Sequence, residues 1–324
     1  MHVPDGFINA ATSAGAAVVA GGGLATALRM GSAKLREKQI PFAGLAAAAI
    51  FALQMLNFPV AAGTSGHLLG GALAAILLGP SMGVVVVSVV VIMQALLFAD
   101  GGVTALGVNV LNMAIITAVV AWPVFRGLVR ILPKSTGSAI GAAAISAWAS
   151  VVASSIGFTF LYAIGGQGGA DIGTVFGAMV GVHALIGIGE GLITATAVGA
   201  VLAARPDLVT GVEDLQLRST VATPTRSAAG AFVVSGVAVA IALVVFVAPL
   251  ASSAPDGLEY VAQQTGIAEA AQDHPVGGPL ADYQVAGVQS ETAGTALAGV
   301  IGVAATFAVG LGGLALLQRR RASA

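Results

Sequence analysis

Residues 104–124 read TALGVNVLNMAIITAVVAWPV and carry no charged side chain. A run of about 20 apolar residues is long enough to cross a hydrocarbon core of about 30 Å as an α-helix. Similar runs follow one another through most of the chain. Their spacing predicts an all-α integral membrane protein, a polytopic helical bundle with about nine transmembrane helices. The nine runs lie at 8–29, 40–61, 66–79, 81–98, 104–124, 137–165, 174–203, 228–250 and 295–317.

The third run is shorter than a membrane crossing requires. It stops at Gly79-Pro80, and proline ends or kinks a helix because it has no backbone N–H group. Residues 66–98 therefore predict either two membrane spans or one kinked or re-entrant unit.

The composition excludes several classes of protein. Of the 324 residues, 57% are hydrophobic and 8% are charged, whereas about a quarter of the residues are charged in ordinary soluble domains. A water-soluble globule is therefore excluded. The net charge of -1 means that the chain has no overall basic surplus for phosphate contacts, so we expect no nucleic-acid partner. The chain has no cysteine, which excludes disulfide bonds, thiolate metal sites and cysteine nucleophiles.

The positions of the charges predict the orientation of the chain. Lys and Arg near the ends of spans favour the cytoplasmic side. If nine spans are threaded with the N-terminus outside and the C-terminus in the cytoplasm, all 13 basic residues lie inside and nine of the 14 acidic residues lie outside. We therefore expect a multi-pass protein in the lipid bilayer of the cell membrane. The basic residues are Arg29, Lys34, Arg36, Lys38, Arg126, Arg130, Lys134, Arg205, Arg218, Arg226 and Arg319 to Arg321.

The runs divide into two domains. The first seven form a block over residues 1–203, and residues 204–227 form a polar, basic cytoplasmic linker. Residues 228–324 form a two-helix module that encloses an exterior loop, 251–294. This loop has six acidic residues, no Lys or Arg and little apolar periodicity, so we expect it to be weakly structured on its own.

The first residues form one half of a candidate metal site. Residues 1–8 lack the basic region of a cleavable signal peptide, and His2 is a large second residue that disfavours removal of Met1, so we expect a free amine on Met1. That amine, the backbone nitrogen of His2 and the His2 imidazole can close two fused chelate rings on one divalent metal. The alternative is a solvated terminus without a ligand.

His67 is the other half of this candidate site. It ends the sequence GTSGH at 63–67, at the outer mouth of the third run and on the same side as the N-terminus. A lone histidine at a helix entrance is more often interfacial than a ligand. Together with the amine and His2, however, it completes a nitrogen set that suits Ni, Co, Cu or Zn.

Polar side chains recur inside the apolar runs, where they are costly in lipid and usually face the bundle interior or a cavity. For most of them, hydrogen bonding between helices is the preferred explanation. Asn57 and Gln94 lie near the outer ends of their runs, where they are placed to orient His67, and Asn109 is a third candidate to support the ligands. The full set is Gln54, Asn57, Gln94, Asn109, Asn112, His183 and Glu190.

Several motifs occur together and in one order: MHVPDGF at 1–7, NFPV at 57–60, GTSGH at 63–67, QALLFADGG at 94–102 and HALIG at 183–187. On these motifs, residues 1–203 resemble the CbiM/NikM substrate-binding components of energy-coupling-factor transporters for cobalt and nickel. The sequence PDGLE at 255–259 resembles the PDGLE module, a counterpart of the two-span N subunit that accompanies these transporters.

The resemblance implies that the amine of Met1, the backbone and ring nitrogens of His2, and His67 bind the metal. This approximately square-planar set favours Ni²⁺ or Cu²⁺ over Co²⁺, although the family also transports cobalt. The resemblance further implies uptake of Co²⁺ or Ni²⁺ as substrate, with no catalytic cofactor and no enzymatic activity in this chain. A transmembrane coupling (T) subunit and two ATPase subunits would drive transport. Consistent with that division, the chain has no Gly-x-x-x-x-Gly-Lys-Ser/Thr loop.

Two other functions remain open from the sequence. One is a gradient-driven metal permease that acts without ATPase partners. The other is an intramembrane serine protease, because GTSG at 63–66 fits a Gly-x-Ser-Gly nucleophile loop and His183 is a candidate base for Ser65.

Overall fold

The apolar runs fold into long helices joined by short connections. The computed structural model describes residues 1–34, 39–61, 63–213 and 226–322. A two-stranded antiparallel sheet, β1 (Phe58–Pro59) and β2 (Ser65–Gly66), connects α2 to α3. The helices in the described residues are α1 (Ala10–Lys34), α2 (Gln39–Gln54), α3 (Gly71–Leu78), α4 (Pro80–Met93), α5 (Leu106–Asn109), α6 (Thr117–Ile131), α7 (Thr136–Gly165), α8 (Ile172–Ala204), α9 (Arg226–Ala242), α10 (Gly257–Thr265) and α11 (Glu291–Ala322). Turns of π-helix continue α4, α5 and α9, at Gln94–Phe98, Val110–Ile116 and Leu243–Val247.

Seven helical segments in the described residues are long and apolar enough to cross a membrane, which is fewer than the nine predicted. Helix α2 has 16 residues, and α3, which replaces the predicted run 66–79, has only eight. The bounds of α3 are set by Gly70 and Gly79, whose φ angles of +83° and +84° are left-handed and favour glycine. Residues 66–98 thus form two helices that meet at Gly79 and pack side by side, since a Cβ on Gly83 of α4 would lie 2.8 Å from the nitrogen of Ala75 on α3.

The outer surface of the bundle is apolar. Phe160 on α7, Leu192 on α8 and Phe246 after α9 are 65%, 64% and 72% exposed. Many large apolar side chains on one surface mark contact with an apolar phase, which for helices of this length is lipid. Of the seven polar residues predicted to face the interior, Asn57 is half-buried and the other six are buried, namely Gln54, Gln94, Asn109, Asn112, His183 and Glu190. The chain is therefore a multi-pass membrane protein.

The connections gather at the two ends of the bundle. One end carries residues 1–9 and the β1–β2 hairpin. The other end carries Arg126, which donates to a backbone oxygen after α8 at 2.8 Å, and Arg205, which pairs with Asp207 at 2.8 Å. These two cations thus lie away from the end that holds Met1. Two predicted features lie partly outside the described residues. These are residues 214–225 of the linker, which include Arg218, and Arg36 and Lys38 of the first basic cluster.

The exterior loop 251–294 folds against the end that carries Met1. The sequence indicates little structure for this loop on its own, and its order comes from packing on the domain that precedes it. It contains α10 and short 3₁₀ turns. Backbone N–H groups connect the two parts: Ser252 to the Asn57 oxygen at 2.8 Å, Ser65 to the Pro255 oxygen at 2.8 Å, Gln272 to the Asp5 oxygen at 2.9 Å and Leu280 to the Leu97 oxygen at 3.0 Å.

Candidate metal-binding site

Residues 1–9 run as an irregular segment across one end of the bundle. The N–H of Gln167 donates to the carbonyl oxygen of Phe7 at 2.9 Å, which ties this segment to the connection between α7 and α8. Gly6 has a φ of +90°, and a Cβ there would lie 2.2 Å from the backbone oxygen of Ala270. Glycine is therefore required at this turn of the MHVPDGF motif.

Asp5 fastens the N-terminal segment to the loop before α5. Its carboxylate accepts hydrogen bonds from the backbone N–H groups of Val103 at 3.2 Å and Thr104 at 2.7 Å, and from the Thr104 hydroxyl. A Cβ on Gly102 would lie 2.3 Å from the Asp5 nitrogen, so this close approach requires glycine. Met1 is only 3% exposed. The terminus is docked in the fold, and the alternative of a solvated tail does not describe it.

Asn109 holds the backbone next to His2. Its side-chain oxygen accepts a hydrogen bond from the Val3 N–H at 2.7 Å, and its amide donates to the Val3 carbonyl oxygen at 3.1 Å. The same carbonyl accepts from the Gly102 N–H at 2.9 Å. Because the neighbouring residue is fixed in this way, Asn109 positions His2 through the backbone.

His67 follows the β1–β2 hairpin and is 6% exposed. Its Nδ1 lies 2.9 Å from the carbonyl oxygen of Leu68, and this contact assigns the ring proton to Nδ1. The lone pair of Nε2 is then free to accept a hydrogen bond or to bind a metal. Glu190 supports the turn that follows, since its carboxylate accepts from the N–H groups of Leu69 at 2.7 Å and Gly70 at 3.0 Å.

The amine of Met1 lies at the centre of the site. Its nitrogen is 2.6 Å from Nε2 of His67, and it donates to the carboxylate of Asp256. Oδ2 of Asp256 is also 3.4 Å from Nε2 of His67. Burial works against ionisation of Asp256, yet the Met1 ammonium and His67 hold the pKa of this carboxyl well below its ordinary value. Asp256 was not among the residues predicted for the site, although its place in PDGLE at the predicted outer face was an available signal.

His2 approaches the site from another side. Its ring centroid is 5.3 Å from that of His67, and its Nδ1 faces Oδ1 of Asp100 at 3.6 Å without a hydrogen bond to any described residue. Burial lowers the pKa of His2 to about 4, although the negative charge of Asp100 opposes this effect. The ring is therefore neutral at pH 7, which is the state in which imidazole binds metals.

Gln94 and Asn57 do not orient His67 as predicted, because other groups engage both nitrogens of that ring. Gln94 donates to the hydroxyl of Tyr283 at 3.1 Å, and this hydroxyl donates to Asp100 at 2.5 Å. Burial and the charge of Asp100 raise the pKa of Tyr283 well above its ordinary value, so the hydroxyl keeps its proton. Gln94 thus supports the Asp100 side of the site, whereas Asn57 lines a cavity beside it.

Two cavities, of about 480 and 250 Å³, open beside the site. His2 borders both of them. Negatively charged walls raise the local concentration of cations, so these cavities favour the approach of a divalent ion. Acidic residues from both parts of the chain border both cavities, namely Asp100, Asp256, Glu259 and Asp282.

The two residues considered for a serine protease have other partners. The Ser65 hydroxyl donates to the carbonyl oxygen of Ala254 at 2.7 Å, and Nδ1 of His183 lies 2.8 Å from the carbonyl oxygen of Met179. Nε2 of His183 has no hydrogen-bond partner among the described residues, so it does not bind the Ser65 hydroxyl. The nucleophile and base that this mechanism needs are therefore not paired.

Within the described ranges, no three His, Asp or Glu side chains are grouped so that they could hold a metal ion on their own. The Met1 amine contacts both His67 and Asp256, so it brings an amine, an imidazole and a carboxylate together at this end of the bundle. The fold and the site together define a class: a multi-pass helical membrane protein with a nitrogen-rich pocket beneath acidic cavities at one end.

Comparison with known proteins identifies the family within this class. Residues 2–208 match the CbiM family, described as the cobalt uptake substrate-specific transmembrane region, and residues 230–319 match the PDGLE domain. The chain belongs to the CbiM family. The family and the apolar helices place it in the cell membrane as a multi-pass protein.

Relatives of both the whole chain and its first part are known. A protein of Archaeoglobus fulgidus, provisionally named fused nickel transport protein NikMN, is 35% identical over 318 residues, which cover 96% of this chain and 97% of that protein. The cobalt transport protein CbiM of Geobacter sulfurreducens is 31% identical over 216 residues, or 64% of this chain and 61% of that protein. A crystal structure of a transition metal transporter has a TM-score of 0.56 and 25% identity, covering 67% of this chain and 100% of that one. The resemblance inferred from the motifs is confirmed.

Proposed function

We propose that this chain is the substrate-capture component of an ATP-driven uptake transporter for a transition metal, with Co²⁺ or Ni²⁺ as the transported substrate. The observation that carries the proposal is the 2.6 Å separation of the Met1 amine from Nε2 of His67, in a buried position beneath acidic cavities. Adjacent amine and imidazole nitrogens suit borderline divalent metals of this kind. The names of the relatives support the same two metals.

The proposed ligands are the amine of Met1, the backbone and ring nitrogens of His2, and Nε2 of His67. The first three nitrogens belong to adjacent residues, so they bind one ion through fused chelate rings, and His67 completes an approximately square-planar set. Nδ1 of His2 faces Asp100 in the structure, so the ring must rotate toward the amine when the metal binds. The amine and the backbone nitrogen lose protons on binding, which weakens capture in acid.

We assign ATP hydrolysis to partner proteins, a transmembrane coupling (T) subunit and two ATPase subunits. The absence of a P-loop motif from the sequence supports this division. Helix α1 offers a surface for a partner helix, because a Cβ added to Gly15, Gly21 or Gly22 would have no described atom within 4 Å. In this proposal residues 1–203 capture the metal, and the linker 204–227 connects them to the module 228–324.

The test of the site uses protein purified with a C-terminal tag, after mass spectrometry has shown that Met1 is the first residue. Bound Co²⁺ and Ni²⁺ are then quantified for this protein, for a variant with three residues added before Met1, and for His2→Ala and His67→Ala. We expect one tightly bound ion in the unmodified protein and loss of at least 100-fold in affinity in each variant. His274→Ala is the matched control, because this histidine borders the cavity of about 480 Å³ and not the smaller cavity that His67 lines. Tight binding by the extended variant would contradict a site built on the terminal amine.

The test of coupling measures uptake of radioactive Co²⁺ and Ni²⁺ by cells that express the chain with or without the coupling and ATPase subunits. We expect uptake above background only when those subunits are present. Uptake of equal rate in their absence, abolished by an agent that dissipates the membrane potential, would instead identify a gradient-driven permease.

A further inference from the structure

Asp256 contacts two of the nitrogens to which the proposed function assigns the metal. Its Oδ2 accepts a hydrogen bond from the Met1 amine and lies 3.4 Å from Nε2 of His67, while the amine lies 2.6 Å from the same Nε2. The three donor atoms are thus mutual neighbours. Asp256 belongs to the C-terminal module, whereas the nitrogens belong to the first part of the chain.

The spacing of these atoms matches that of ligands around one ion. Metals of this class bind nitrogen and oxygen at about 2.0–2.1 Å, so two ligands at a right angle lie about 2.9 Å apart. The separations of 2.6 and 3.4 Å lie on either side of this value. A metal bound to the amine and to His67 would therefore have the Asp256 carboxylate within reach after shifts of a few tenths of an ångström.

The position of the carboxylate is fixed by its surroundings. Oδ1 of Asp256 caps helix α10 by accepting from the Glu259 N–H at 2.8 Å, which leaves Oδ2 for the site. The carbonyl oxygen of Pro255, the residue before Asp256, accepts a hydrogen bond from the Ser65 N–H at 2.8 Å. This bond ties the segment to strand β2, which leads into His67. A Cβ on Gly257 would lie 2.5 Å from Cδ1 of Ile186, which explains the glycine after this aspartate.

We infer that Asp256 is a ligand of the captured metal, supplied to the four nitrogens by the C-terminal module. This inference rests on the proposed function, because it requires that the amine and His67 bind the metal. A carboxylate oxygen raises the coordination number from four to five. A fifth, harder ligand suits Co²⁺, and it converts Ni²⁺ from the planar four-coordinate geometry to a higher-coordinate one.

The experiment compares Asp256→Asn with Glu259→Gln in the full-length protein. Asparagine caps helices as well as aspartate does, so Asp256→Asn keeps α10 and removes the anionic ligand. Glu259→Gln removes the same charge from the same cavities. It keeps the cap of α10, because a glutamine side chain, like that of Glu259, can accept the hydrogen bond from the Asp256 N–H. The two readouts are affinity for Co²⁺ and the magnetic state of bound Ni²⁺, which with nitrogen and oxygen ligands is usually paramagnetic when five-coordinate and is diamagnetic when planar and four-coordinate.

We expect paramagnetic Ni²⁺ in the unmodified protein and in Glu259→Gln, and diamagnetic Ni²⁺ in Asp256→Asn together with an affinity for Co²⁺ reduced at least tenfold. An unchanged magnetic state in Asp256→Asn would overturn the inference and leave Asp256 as a counter-ion of the ammonium. If His67→Ala nevertheless abolished binding in the same preparation, the proposed function would stand. Unimpaired binding by His67→Ala would contradict both the inference about Asp256 and the proposed function.

Discussion

The carboxylate of Glu190, fully buried in α8, accepts a hydrogen bond from the backbone N–H of Leu69 at 2.7 Å and a second from the following residue at 3.0 Å. These N–H groups precede α3, where the positive end of the helix dipole favours an anion. The carboxylate thus binds the turn that begins two residues after His67. A residue on α8, which contributes no proposed ligand, therefore determines where a proposed ligand lies.

Replacing Glu190 tests this relationship. Glu190→Gln keeps the size of the side chain but places amide protons against backbone N–H groups, so at least one of the two hydrogen bonds is lost. We expect a loss of about 1–3 kcal/mol in the free energy of unfolding, because a buried N–H is left unpaired. We also expect affinity for Ni²⁺ to fall about tenfold, since the turn at His67 loosens. Thermal unfolding in detergent and a metal-competition assay measure the two effects. Glu291→Gln, an exposed change in the first turn of α11, is the control, and an equal response from both variants would refute the role of Glu190.

Asn109 and Asn112 are buried three residues apart and differ in their partners. Asn109 makes two hydrogen bonds to Val3, whereas both side-chain polar atoms of Asn112 are without a hydrogen-bond partner in the described residues. We expect Asn109→Leu to lower metal affinity by about 10–100-fold, because the backbone beside His2 is released. Asn112→Leu loses no hydrogen bond and should leave the affinity unchanged while maintaining or raising the unfolding temperature. Isothermal titration of both variants with Ni²⁺ measures the difference, and equal losses would mean that Asn109 does not act through Val3.

Gly102 tests the docking of the N-terminal segment. A methyl group there would lie 2.3 Å from the nitrogen of Asp5, so Gly102→Ala must displace the segment that carries Met1 and His2. We expect loss of tight metal binding and faster cleavage of residues 1–9 by an aminopeptidase. Gly177→Ala on α8 is the control, because a methyl group at that position would meet no described atom within 4 Å. It should bind metal normally, and normal binding by Gly102→Ala as well would contradict the proposed arrangement of the terminus.

The hydroxyl of Tyr283 links the exterior loop to the other side of the site. It donates to Asp100 at 2.5 Å and accepts from Gln94 at 3.1 Å. Removing it in Tyr283→Phe deprives the Asp100 carboxylate of a donor, and we expect a loss of about 1.5–3 kcal/mol in stability. Because burial and Asp100 raise the pKa of Tyr283 well above its ordinary value, the loss should be the same at pH 6 and pH 9. Chemical denaturation at both pH values measures it. Tyr260→Phe removes a hydroxyl from the same loop but keeps the contact with Asp100, and a loss of equal size in that variant would argue against the prediction.

The parts of the fold that a sequence can predict are those that depend on composition over many residues. The spans around 104–124 and 137–165 follow from apolar runs of sufficient length, and the charge pattern placed Met1, His2 and His67 at one end. The end of α3 at Gly79-Pro80 was predicted, whereas its start at Gly71 was not, because that boundary depends on the left-handed Gly70 rather than on apolar length. Run length gave nine candidate spans, and seven helical segments in the described residues are long and apolar enough to cross a membrane.

The part of the site that escaped prediction depends on contacts between distant residues. Asp256 meets Met1 and His67 only because the exterior loop folds back over the membrane domain, and its order comes from backbone hydrogen bonds that no side-chain pattern records. Gln94 illustrates the same limit. It was correctly placed inside the bundle, but its partner is a tyrosine from that loop rather than the imidazole expected from its position along the span.

The hydrogen bonds between Ser65 and residues 254 and 255 have a consequence for biosynthesis. His67 leaves the ribosome and enters the bilayer long before Asp256 is translated. During that interval Ser65 of the hairpin lacks its hydrogen-bond partners at residues 254 and 255, and the amine of Met1 lacks its carboxylate partner. The pocket is therefore completed only when residues 254–256 have been synthesised and have folded onto the hairpin, so a nascent or prematurely terminated chain has an unfinished pocket.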